Sequence, residues 1–113
     1  MSDSCLFCRI VRGEIPATEV YRTPALVAIR DVGPQAPTHV LVIPIEHIDS
    51  LNAVEDGALL GELLLAAREV ARKERVDVRG YRLVINTNAD GGQSVGHLHV
   101  HVLGGRAMGW PPG

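Results

Sequence analysis

The chain has 113 residues, 46% of them hydrophobic, and a formal net charge of −2 at pH 7. This length suits one domain, spanning residues 1–113, that buries about 65% of the surface its unfolded chain exposes. The acid-leaning balance argues against a protein that grips nucleic acid by neutralising phosphates, and no apolar run approaches the roughly 18 residues of a membrane span.

MSDSCLFCRI has no basic stretch leading into an apolar core, so no signal peptide is expected. Two cysteines without a secretion signal indicate a reducing compartment, the cytoplasm by default, and free thiols or metal ligands. Residues 5–12, CLFCRIVR, place apolar side chains at helical spacing and stop at Gly13, so a short helix is predicted. Val20-Tyr21 and residues 25–30 read as strands around a turn at Thr23-Pro24. DVGPQAP, residues 31–37, is a loop, because Gly33, Pro34 and Pro37 interrupt regular structure. Residues 39–43 then form a strand rich in β-branched side chains.

The middle of the chain is helical. Leu59, Leu60, Leu63, Leu64, Ala67, Val70 and Ala71 recur every three to four residues, with Glu62, Arg68, Glu69 and Arg72 on the other face. The helix is predicted over residues 58–75, with Asn52 and Glu55 as a variant capping box at its start. Residues 81–87 and 96–103 are two further strands, joined by the Gly-rich NADGGQS. One long helix, a short N-terminal helix and five strands linked mostly by short turns indicate an α+β fold with an antiparallel sheet, the long helix covering one face.

GHLHVHVLGG sets three of the five histidines at alternate positions. Side chains alternate across a strand, so His97, His99 and His101 share one face and Leu98, Val100 and Val102 the other. The apolar face belongs under the helix and the imidazoles face an open site. Two chemistries suit such a row. Residues two apart on a strand lie about 6.6 Å apart, within reach of one zinc ion. Alternatively, imidazole acts as nucleophile or acid–base group near neutral pH. The preceding DGGQS offers glycines, backbone N–H groups and a hydroxyl, a composition that cradles anions. An anion beside an imidazole row points to phosphoryl chemistry through a phosphohistidine.

The segment from His97 to Leu103 matches the pattern His-φ-His-φ-His-φ-φ, with φ apolar, and resembles the histidine-triad family. LFCRIVRGEIPA, DVGPQAPTHVLVIP, GYRLVINTNADGGQSVGHLHVHVLGGR and the terminal WPPG are all similar to its Hint branch, the nucleoside phosphoramidases. The resemblance covers nearly the whole chain. It implies the family's fold, with two five-stranded sheets joined into one ten-stranded sheet in a homodimer. It also implies hydrolysis at the α-phosphorus of purine nucleoside 5′-phosphoramidates or acyl-adenylates, leaving AMP- or GMP-type products. His99 then stands at the nucleophile's position, its other nitrogen held by a main-chain carbonyl of its strand. His101, His39 and His97 complete the histidine set, and Ser94 assists the leaving group. Asp31 takes the ribose hydroxyls; Leu6, Phe7, Ile10, Ile29 and Val32 form the base pocket; Asn86, Gly92 and Gln93 lie at the phosphate loop. Ile29 stands where animal members commonly have an aromatic residue, which loosens the expected base selectivity.

Cys5 and Cys8 form a CxxC at the chain start rather than after a strand of a βαβ unit, where redox use would place it. Structural zinc takes four ligands, and Cys5, Cys8, His47 and His97 can supply them. Many bacterial relatives carry this set, so the resemblance implies a structural zinc with no part in the chemistry. The alternative is two unligated thiols and a surface His47. Two other functions are compatible with the motif: hydrolysis of dinucleoside polyphosphates, and a nucleotide-binding scaffold with slow turnover.

Overall fold

The structure, a computed structural model, describes residues 4–113. Helix α1 (Leu6–Val11) is capped by Cys5, whose sulfur accepts from the Cys8 amide, and ends at Gly13, whose φ of +79° suits glycine. Strands β1 (Glu19–Arg22) and β2 (Leu26–Arg30) form a hairpin. Its turn is closed by Thr23, whose hydroxyl accepts from the amides of Ala25 and Leu26. Strand β3 (Thr38–Pro44) pairs antiparallel with β2 on one side and with β5 (Val100–Gly104) on the other. Strand β4 (Tyr81–Val84) pairs with β5, giving the order β1-β2-β3-β5-β4 with β1 and β4 at the edges.

Helix α2 (Gly57–Lys73) covers one face. Its cap is Asp56, whose carboxylate accepts from the Ala58 amide, and not the predicted Asn52–Glu55 pair. Residues 51–53 instead form a separate 3-10 turn capped by Ser50. The helix stops at Lys73, short of the predicted 75, because Arg75 turns left-handed (φ +59°) and the Val76 amide reaches back to the Ala71 carbonyl. Its buried residues are Leu63, Ala66, Ala67, Val70 and Ala71. Leu64, expected in that stripe, is 46% exposed.

The sheet is covered on both faces. Leu26, Ala28, Val40, Val42, Leu98, Val100 and Val102 pack under α2, while Val27, Ile29, Leu41 and Ile43 pack under Phe7 of α1. All seven residues of β3 are therefore buried, which explains its unbroken apolar run. The last strands are shorter than expected. The β5 ladder opens only at Val100, because the Leu98 amide bonds to the Ile48 carbonyl rather than into the regular ladder, and β4 ends at Val84. Among the described residues, no helix is long and apolar enough to cross a membrane.

Candidate active site

Although residues 97–99 lie outside the regular ladder, the predicted alternation holds. Leu98 is in the core under α2, and the imidazoles of 97, 99 and 101 project to the other face. That face is not open throughout. Phe7 of α1 lies edge-on against His97 and His99, with ring centroids 5.9 and 5.0 Å apart, so both imidazoles are buried and only His101 is half-exposed. The expectation of a fully open imidazole face is corrected on this point.

Hydrogen-bond partners set a tautomer for every histidine, since a carbonyl only accepts and an amide N–H only donates. His99 donates from Nδ1 to its neighbour's main chain, the His97 carbonyl, at 2.7 Å, so in the neutral ring the lone pair sits on Nε2. His97 donates from Nε2 to the Pro44 carbonyl at 2.9 Å, leaving Nδ1 bare toward the cysteines. The Gln35 amide donates to His39 Nδ1 at 3.0 Å; His39 Nε2–H then donates to His101 Nδ1 at 2.9 Å. His101 is left with its proton on Nε2. Three similar side chains thus present a lone pair to the cysteines, a lone pair beside Phe7, and a donor.

Burial pushes His39 below the usual histidine value, with Asp31 opposing. His97 is lowered by burial, against its bond to the Pro44 carbonyl. His101 is lowered to about 4, first by burial and then by its neighbours His99 and His39, with Asp31 opposing. His101 is therefore a neutral hydrogen-bond donor at physiological pH.

His99 and His101 open onto a cavity of about 370 Å³. Its lining includes Leu6, Phe7, Ile10, Ile29, Asp31, Val32 and Ser94, all anticipated from the sequence. The wall also holds Ile15, Pro16, Ala17, Arg30, Leu41 and Val95, which the sequence pattern did not single out. Leu41 was recoverable, because it lies two residues beyond His39 and pairs across the ladder with both Ile29 and His101. Asp31 caps its own turn by accepting from the Gly33 amide through Oδ1 at 2.7 Å, while Oδ2 lies 3.4 Å from His39 Nε2.

Asn86, Gly92 and Gln93 do not line this cavity. Asn86 Nδ2 holds the Gly91 carbonyl at 2.7 Å, and Gly91 is obligatory because a Cβ there would lie 2.4 Å from the Thr87 carbonyl oxygen. Gln93 accepts from the Asn88 amide and donates to the carbonyls of Asp49 and Val95, so its amide holds the loop that carries Ser94.

Behind Phe7, His97 joins Cys5, Cys8 and His47, with all four ligand atoms within 4.8 Å of one another. Tetrahedral zinc places bound sulfur and nitrogen about 3.5 Å apart. The observed separations are 3.4 Å for Cys5–His97, 3.2 Å for Cys8–His47 and 3.6 Å for Cys8–His97. His47 donates from Nε2 to Asp49 at 2.7 Å, as His97 does to Pro44, so both Nδ1 atoms are free to ligate. The constellation fits a structural zinc. Asp31, His39 and His101 also cluster. There the Gln35 amide occupies His39 Nδ1, forcing the proton onto the Nε2 that a metal would need. The Gln35 amide, His39 and His101 form a hydrogen-bond chain, with the Asp31 carboxylate beside it.

Comparison with known proteins agrees with this geometry. The HIT domain family matches residues 12–108. The chain belongs to the HIT family. It is 44% identical over 111 residues to the purine nucleoside phosphoramidase of Escherichia coli K12, covering 96% of this chain and 93% of that one. It is 51% identical to a HIT-like protein of Synechococcus elongatus over the full length of both. The crystal structure of a HIT family hydrolase from Legionella pneumophila superposes with a TM-score of 0.94 at 52% identity, covering 97% of this chain and all of the other. The antiparallel sheet with one long and one short helix is the HIT fold.

Proposed function

We propose that this chain, a single HIT domain, is a purine nucleoside phosphoramidase that hydrolyses the P–N bond of nucleoside 5′-phosphoramidates, and the mixed anhydride of acyl-adenylates, at the α-phosphorus. The observation that carries the reading is the bond from His99 Nδ1–H to the His97 carbonyl, which aims a bare Nε2 at a cavity with an apolar wall. A nucleophilic imidazole needs its other nitrogen occupied by an acceptor. The name and 44% identity of the Escherichia coli relative support the substrate class.

His99 Nε2 attacks the α-phosphorus. The P–N bond breaks, and the departing nitrogen takes a solvent proton relayed by the Ser94 hydroxyl. Water then attacks phosphorus, giving one proton back to solvent, and the P–Nε2 bond breaks, releasing the nucleoside monophosphate and restoring neutral His99. His101, held by His39, donates from Nε2 to a phosphate oxygen, where charge builds in the transition state. The loop amides near Gly92 serve the same charge, positioned through Asn86 and Gln93. Asp31 receives the ribose, and the base lies among Leu6, Phe7, Ile10, Ile29 and Val32. Zinc on Cys5, Cys8, His47 and His97 supplies only a cross-link.

The active form is a homodimer built on the β4 edge and α2, since an unpaired sheet edge invites pairing. His99→Ala tests the reading. Turnover of adenosine phosphoramidate is expected to fall by several orders of magnitude while AMP still binds, and acid quench of wild type traps the nucleotide on residue 99. Wild-type turnover in the variant, or faster cleavage of diadenosine polyphosphates than of phosphoramidates by the native protein, overturns it.

A further inference from the structure

A second cavity, of about 530 Å³, adjoins the first. The two share Leu6, Ser94 and Val95, so Ser94 stands on the ridge between them. Beyond the ridge the wall is formed by Ser4, Cys5, His47, Asp49 and Gly96. We infer that this outer cavity receives the leaving group and that Asp49 selects amines carrying a distal ammonium. The inference rests on the phosphoramidase reading and names the class of substrate within it.

The nucleoside, its phosphate and His99 occupy the inner cavity under that reading. The group released from phosphorus sits at Ser94, and the space beyond Ser94 is the outer cavity. Among the described residues its sole carboxylate is that of Asp49, and none of the described lysines or arginines lines it. Zinc bound by two thiolates and two neutral imidazoles has no net charge, so Asp49 sets the sign of the wall. Asp49 is exposed over 81% of its side chain, yet it is held in place. Its Oδ1 accepts from His47 Nε2 and its main-chain carbonyl accepts from Gln93 Nε2, both at 2.7 Å. Oδ2 remains for a ligand. A carboxylate fixed before binding loses less side-chain freedom when an ammonium arrives.

The test compares adenosine 5′-phosphoramidates of linear α,ω-diamines with those of alkyl monoamines of matched chain length, in wild type and Asp49→Asn. The asparagine keeps an acceptor for His47, and metal content and thermal midpoint check the fold. The ratio of kcat/KM, diamine over monoamine, is expected to be about 1.5- to fivefold higher in wild type than in Asp49→Asn, the range of a solvent-exposed ion pair. The excess should shrink at high salt. The effect of the second amine on leaving-group basicity is common to both proteins and cancels. Equal ratios in the two proteins at every chain length overturn the inference while leaving the phosphoramidase intact. Failure of wild type to release amine from any member of the series strikes the phosphoramidase reading itself.

Discussion

Acidification should destabilise this protein through one ring above all. His101 is lowered from 6.5 to about 4 in the folded chain. Below pH 6.5 the unfolded chain protonates this imidazole, but the folded chain refuses the proton until the pH approaches 4. The folded state therefore binds fewer protons across that window, and stability falls as pH drops through it. At about pH 4.5 the linkage comes to about 2.5 kcal/mol, reduced to about 2 because the ring is partly exposed to solvent. Urea unfolding of wild type and His101→Gln at about pH 7.5 and about pH 4.5 isolates this contribution, because other titrating groups are common to both. Wild type should lose about 2 kcal/mol more than the variant on acidification. Equal losses would refute the placement of a neutral His101 among His39, His99 and the cavity wall.

Cys5→Ser with Cys8→Ser should remove about one zinc ion per chain, measured by mass spectrometry on protein purified without chelator, and should lower the thermal midpoint more than kcat. Sedimentation at micromolar concentration should give a dimer, and a monomer would count against the β4 pairing. Trp110 is 83% exposed in the isolated chain, with the tail tethered at the Gly109 carbonyl by Arg82 of β4, the proposed dimer edge. The tail is expected to cross the dimer and set Trp110 on the leaving-group side of the partner's site; deleting residues 107–113 should then shift relative kcat/KM among phosphoramidates of different amines while His99 is still nucleotidylated, and an unchanged profile would place Trp110 away from that site.

Period and punctuation made most of the fold readable in the sequence. Gly13, Thr23-Pro24 and the 3–4 spacing of Leu59 to Ala71 each correspond to a feature of the fold. The errors lie where a distant partner decides. Leu64 and Ala66 lie two residues apart, on opposite sides of the helix, and the side turned to the sheet carries the alanine and not the leucine. Asp56 displaced Asn52 as the cap because residues 51–53 close a turn of their own. For the site, alternation identified the histidine face and the family resemblance anticipated the main-chain acceptor of His99, but the tautomers of His97, His39 and His101 depend on the Pro44 carbonyl and the Gln35 amide, which no spacing rule connects to the triad. The anchoring of the Ser94 loop by Gln93 is hidden for the same reason: its partner Asp49 is 44 residues away.

His97 orients His99 through its main-chain carbonyl and serves the cysteines through its side chain. The two duties rest on different parts of one residue, so they can be inherited separately. A lineage that lost both cysteines would be free to vary the side chain at 97, because every amino acid brings the same carbonyl. The rings at 99 and 101 have no such freedom. Sequence drift within this triad should therefore begin at its first histidine, with loss of the metal preceding any loss of catalysis.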